Sequence, residues 1–150
     1  MKRIVGLTLA IALAGAFAIA SQARSTTSSS RTHAFHATKE CPPSTYQGQP
    51  GGYCTIDSSN VGAIPAGSKV FYFEAAGANG LDSDVALYAG PGNVAFGHVT
   101  LSFATATGVI TFRGGRGDFR GFRAEADVTL DQATGLWHWD GTYRFLGHGH

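Results

Sequence analysis

The sequence has few charged residues and no concentration of positive charge. Asp, Glu, Lys and Arg make up 14% of its 150 residues, and the formal net charge is +1. The arginines between residues 113 and 123 lie close to acidic residues, which is typical of a mixed, solvated strand face. Because a nucleic-acid surface needs clustered Lys and Arg, we expect no nucleic-acid partner.

Several motifs that carry well-known chemistry are also missing from the sequence. There is no Gly-x-Ser-x-Gly elbow, no glycine-rich phosphate loop ending in Lys, and no Gly-x-Gly-x-x-Gly between a strand and a helix. The sequence therefore gives no support to a hydrolase, a kinase or a dehydrogenase.

A long hydrophobic run occurs only near the start of the chain, at residues 4–20. Lys2 and Arg3 precede it, and the small residues Ser21 and Ala23 occupy the −3 and −1 positions of a cleavage site. The alternative is a retained membrane anchor, but a run rich in Ala and Gly is short and weakly hydrophobic for that role. We predict a signal peptide over 1–23, a secreted or extracytoplasmic protein, and no membrane association after cleavage.

Only two cysteines are present, Cys41 and Cys54. An even number of cysteines in an exported chain favours a disulfide. Closing so short a loop contributes roughly 3 kcal/mol in the chain-entropy model. A metal pair or a reactive thiol is the alternative, but no further ligands lie nearby in the sequence.

The domain organisation follows from composition. Residues 24–40 contain a Ser/Thr run and are predicted to be a flexible polar segment, although 34–37 could add an edge strand. Residues 41–146 form the predicted domain, and 147–150 a disordered tail. His148 and His150 in this tail would make at most a weak transition-metal site.

The domain itself is predicted to be all-β. Short runs rich in Val, Phe, Tyr and Thr alternate with Gly, Asn, Asp and Pro. Tight loops between successive runs favour an antiparallel meander, and about eight strands would close into a small barrel without exposed edges. A two-sheet sandwich is the alternative. The predicted strands are 53–58, 69–75, 84–88, 95–103, 108–113, 119–130 and 136–145.

Alternation predicts which faces are buried. One face of 119–130 carries Phe122, Ala124, Ala126, Val128 and Leu130, and the other carries polar residues. In the last predicted strand, one face is aromatic; it carries Trp137, Trp139, Tyr143 and Phe145.

Much of the domain resembles the allene oxide cyclase-like barrel proteins of bacteria. The resemblance rests on residues 52–56 (GYCTI), 81–85 (LDSDV), 90–98 (GPGNVAFGH), 114–122 (GGRGDFRGF) and 136–143 (LWHWDGTY). It implies a calycin-like, closed eight-stranded antiparallel barrel with an apolar interior, similar to plant allene oxide cyclases and dirigent proteins. It also implies a small hydrophobic ligand or substrate, no cofactor, and a possible homo-oligomer such as a trimer.

Three residues are candidates for acid–base chemistry. Glu74 follows an apolar run and would be a general acid or base if it points inward, although a solvent-facing carboxylate is the simpler alternative. Tyr72 shares its predicted face and could orient a ligand or donate a proton. His98 lies within a strand and could act as a base or as a structural residue.

Four aromatic residues are candidates for contact with a ligand: Phe73, Phe96, Trp137 and Trp139. Core packing or a subunit interface would explain the two tryptophans equally well. Asp82 and Asp84 have a spacing that calcium can use, but the rest of a calcium loop is missing, and turn formation explains both residues. We therefore expect no metal site.

Three functional hypotheses follow. The first is an exported barrel that holds a small hydrophobic molecule in its apolar interior. The second is a cofactor-free cyclase or isomerase that uses Glu74, Tyr72 and His98. The third is a non-catalytic surface or assembly protein.

Overall fold

The computed structural model describes residues 30–147. It confirms a closed antiparallel barrel in which each of eight strands pairs with the next along the chain and β8 pairs with β1. A single turn of 3₁₀ helix spans Gly117–Phe119. The strands are β1 His33–Glu40, β2 Tyr53–Ser59, β3 Lys69–Tyr72, β4 Gly80–Tyr88, β5 Val94–Ser102, β6 Thr107–Arg116, β7 Phe122–Leu130 and β8 Trp137–Phe145.

The barrel begins earlier than the sequence predicted. β1 lies inside 24–40, which we expected to be flexible, and its residues pair with both β2 and β8. Because β1 closes the barrel, it is not an edge strand. The predicted signal peptide and the two C-terminal histidines lie outside the described residues.

Other strand ends also differ from the predicted ones. β3 stops at Tyr72, and β4 starts already at Gly80. β7 starts at Phe122, and the predicted strand residue Phe119 belongs to the 3₁₀ turn instead.

The alternation predicted for β7 is confirmed. Phe122, Ala124, Ala126 and Val128 are buried, whereas Glu125 and the other intervening residues face outward. On β8, which pairs antiparallel with β7, Gly141 stands opposite Ala126. A Cβ at Gly141 would collide with the Glu125 carbonyl oxygen, so this position requires glycine.

One end of the barrel is filled by phenylalanine. We call it the phenylalanine end; it holds the 3₁₀ turn and the start of β7. Phe119, Phe122, Phe112 and Trp139 form a continuous series of ring contacts with centroids 5.4–5.7 Å apart, and Phe35 packs against Trp139. Each buried ring stabilises the fold by about 2 kcal/mol. A ligand entering this end would have to displace several rings, and the fold would lose the stabilisation that each of them provides.

Candidate functional site: a buried lysine at the disulfide end

The opposite end of the barrel is covered by a segment that a disulfide holds in place. We call residues 41–52 the cap segment and this end the disulfide end. Cys41 and Cys54 are bonded, as the sequence predicted, with their Cα atoms 4.4 Å apart. The cap segment also joins β3, since Gly51 N donates to Tyr72 O and Tyr72 N donates to Gly52 O. A disulfide of this kind is stable in an oxidising environment.

A lysine lies inside the barrel directly beneath the cap segment. On β1 the side chains of Phe35, Ala37 and Lys39 follow one another on the inner face, and Lys39 is only 5% exposed. Its Nζ donates to Tyr72 Oη at 2.9 Å and to Cys41 Sγ at 3.3 Å. Within residues 30–147 no carboxylate forms an ion pair with it. A buried amine without an anionic partner is rare, because burial of a lone charge is costly.

Aromatic rings surround the amine. The ring centroids of Trp137, Tyr72 and Trp139 lie 5.5, 5.6 and 5.9 Å from Nζ. Their faces favour a cation, but they replace only part of its hydration. Burial lowers the pKa of Lys39 to about 7 and so favours the neutral form of the amine.

Two tyrosines complete the cluster. The rings of Tyr46, from the cap segment, and Tyr72 lie 4.6 Å apart. Burial raises the pKa of both hydroxyls, and the nearby Tyr46 raises that of Tyr72 further. Both tyrosines therefore stay protonated and remain able to donate a hydrogen bond.

The cluster contains more hydrogen-bond donors than acceptors. Among the described residues, Tyr46 Oη and Trp139 Nε1 are buried and have no hydrogen-bond partner. An indole N–H can only donate, and so can an ammonium. We refer to Lys39, Tyr46, Tyr72, Trp137 and Trp139 as the lysine cluster. Its chemistry suits a ligand that brings an acceptor, such as a carboxylate or carbonyl oxygen, into an apolar setting.

The sequence predicted three of these five residues. Tyr72 and the partly exposed Trp137 lie at the disulfide end, whereas the buried Trp139 contacts both Lys39 and the rings of the phenylalanine end. Sequence reasoning missed Lys39 and Tyr46. The alternation of Phe35, Ala37 and Lys39 was the available signal, but it falls in the segment interpreted as flexible.

The other acid–base candidates lie outside the barrel, away from Tyr72. Glu74 follows the end of β3, is exposed, and accepts a hydrogen bond from Asp84 N at 2.6 Å. His98 faces outward on β5 and binds Asp84 through Nδ1 at 2.8 Å and Asp82 through Nε2 at 2.7 Å. The hydrogen bond to Asp84 is the main cause that raises its pKa. The structure thus does not bring Glu74, Tyr72 and His98 together.

Two of the predicted ligand-contact residues are also on the outer surface. Phe73 is 51% exposed and Phe96 is 44% exposed. Phe96 alternates on β5 with the inward Ala95, and Phe73 directly follows the inward Tyr72 at the end of β3. They border an outer groove together with His98 instead.

Comparisons with known proteins identify no relative. No family model, no curated protein and no solved structure matches this chain. In the described part of the chain, no helix has the length and hydrophobicity needed to span a membrane.

Proposed function

We propose that this protein is an exported barrel that binds a small hydrophobic molecule at its disulfide end. The ligand's polar head is an oxygen acceptor, and it is held by the lysine cluster. The observation that carries this proposal is the buried Lys39, which has no carboxylate partner and lies among donors that lack an acceptor. A carboxylate or carbonyl ligand would supply what the cluster lacks.

The packing of the two ends supports the disulfide end as the ligand site. The phenylalanine end is occupied by fully buried rings, including Phe112, Phe119 and Phe122. The disulfide end carries the cap segment, and Trp137 is partly exposed there. In this proposal a ligand reaches the Lys39 amine past the barrel rim.

Export is supported by two observations. The Cys41–Cys54 bond is compatible with an extracytoplasmic location, where disulfides persist. The sequence of residues 1–23 has the three regions of a signal peptide. Mass spectrometry of the protein from the medium or periplasm of an expressing bacterium would show cleavage after Ala23 or contradict it.

Tryptophan fluorescence tests the binding site directly, because the chain has two tryptophans and both belong to the lysine cluster. We expect titration with decanoate to change the emission of the wild-type protein saturably. Lys39→Met should raise the apparent Kd for decanoate at least about tenfold, since a hydrogen-bonded charge pair is lost. Lys69→Met is the matched control, because Lys69 lies on the outer face over Tyr53, and it should leave binding unchanged.

Decanol separates the two parts of the proposal. If decanol binds as tightly as decanoate and Lys39→Met has no effect, the cluster does not recognise the polar head. If neither compound changes the emission and no other apolar acid or carbonyl compound does, the protein is not a binder of this kind.

A further inference from the structure

The Lys39 amine has the surroundings of a nucleophile as well as those of a binding group. We propose that Lys39 Nζ forms a reversible imine with a small apolar aldehyde or ketone that enters the disulfide end. This inference rests on the proposed function, because the carbonyl compound must first bind at the lysine cluster.

The first requirement is an amine with a free electron pair. Nζ is buried and has no carboxylate partner that would hold it as an ammonium ion. An imine is neutral above its own pKa, so its formation also removes a charge that the barrel interior solvates poorly. The same desolvation activates lysines for attack on carbonyl carbon generally.

The second requirement is a path for protons during the reaction. The amine attacks the carbonyl carbon, a C–N bond forms, and the oxygen takes up the proton that nitrogen loses. Loss of that oxygen as water, with a second proton from nitrogen, leaves the C=N bond. Tyr72 Oη lies 2.9 Å from Nζ and can pass protons between nitrogen and oxygen.

The third requirement is stabilisation of the carbonyl oxygen as it gains negative charge. The two buried donors without partners, Tyr46 Oη and Trp139 Nε1, belong to residues packed against Tyr72 and Lys39. A donor that is already desolvated needs no reorganisation to bind developing charge. No other lysine of residues 30–147 has such surroundings, because Lys69, the only other one, lies on the outer face.

Reductive trapping tests this inference. The folded, disulfide-bonded protein is incubated with decanal at neutral pH, and cyanoborohydride supplies the hydride that converts an imine into a stable secondary amine. Peptide mass spectrometry then gives the modified fraction at each lysine. We expect Lys39 to be modified at least about tenfold faster than Lys69, because decanal bound at the lysine cluster holds its carbonyl group beside Nζ. In urea with the disulfide reduced, the two should react at similar rates.

Three variants locate the chemistry. Lys39→Met should abolish the fast modification while circular dichroism shows an intact β fold, and Lys69→Met should leave the modification of Lys39 unchanged. Tyr72→Phe keeps the ring and should slow trapping about tenfold or more at saturating decanal, a condition in which weaker binding does not affect the rate. An unchanged trapping rate in Tyr72→Phe would overturn the role given to Tyr72.

The outcomes separate this inference from the proposed function. Saturable binding of decanoate together with equal, slow modification of Lys39 and Lys69 overturns the imine and leaves the binding site intact. Absence of binding by decanoate, decanol and decanal overturns both.

Discussion

Replacement of Lys39 by methionine gives the sharpest test of the buried amine, because it keeps a flexible side chain of similar length and removes the titrating group. Burial lowers the pKa of Lys39 from 10.5 to about 7. Between these values the unfolded chain binds more protons than the folded one, so the contribution of Lys39 to stability becomes more favourable as pH rises. Below pH 7 the buried ammonium lowers the free energy of unfolding by its full amount, about 5 kcal/mol. Above pH 10.5 this loss of stability is gone, because the amine is neutral in both states.

Urea unfolding at about pH 6 and about pH 9.5 measures this penalty. We expect Lys39→Met to gain stability over the wild type, and to gain about 3 kcal/mol more at the lower pH. The groups that face Nζ are Tyr72, Trp137, Trp139 and the Cys41 sulfur. Only Tyr72 among them titrates, and burial raises its pKa beyond this window.

The matched control is Lys69→Met, which removes an amine from the outer face and should show no comparable pH dependence. A stability difference between wild type and Lys39→Met that is equal at both pH values would refute the argument, because the amine would then be hydrated in the folded protein.

Three further predictions concern the rest of the barrel. NMR titration should give His98 a pKa above 6.5, and Asp84→Asn should lower it; the stabilisation from His98 is full below pH 6.5 and is lost as pH rises through the raised pKa. An unaltered value in Asp84→Asn would contradict this. Gly141→Ala should lower the free energy of unfolding, measured in urea, by about 1–3 kcal/mol. Gly62→Ala, where a Cβ meets open space, should lower it little. Similar costs would disprove the close approach. Trp139→Ala should cost about 3–5 kcal/mol and Trp139→Phe clearly less, because the indole N–H has no partner to lose; equal costs would show that Nε1 is bonded.

The fold could be predicted from the sequence because most strands carry a local signal. The alternation in β7 and the glycine-rich turns are visible without any tertiary information. β1 was not predicted as a full strand, because it follows a Ser/Thr run and its inner face mixes Phe35 and Ala37 with a lysine. Its pairing with β2 and β8 decides its structure, and such long-range pairing is not visible in local composition.

The site was only partly predictable for a related reason. Tyr72 was expected to share a face with Glu74, but β3 ends at Tyr72 and the alternation does not continue beyond it. Lys39 stands in a polar segment, where a lysine is normally solvated, so local sequence gives no sign of its burial. Its burial follows from the closure of the barrel and from the disulfide-bonded cap segment above it.

Native mass spectrometry of the disulfide-bonded protein with decanoate tests the central claim most directly, because it counts ligands on each folded chain. Our account predicts one decanoate bound per wild-type chain, the same for Lys69→Met, and at least about tenfold less for Lys39→Met at equal ligand concentration. Equal binding by wild type and Lys39→Met, or no specific binding to either, would contradict the assignment of the lysine cluster as the ligand site.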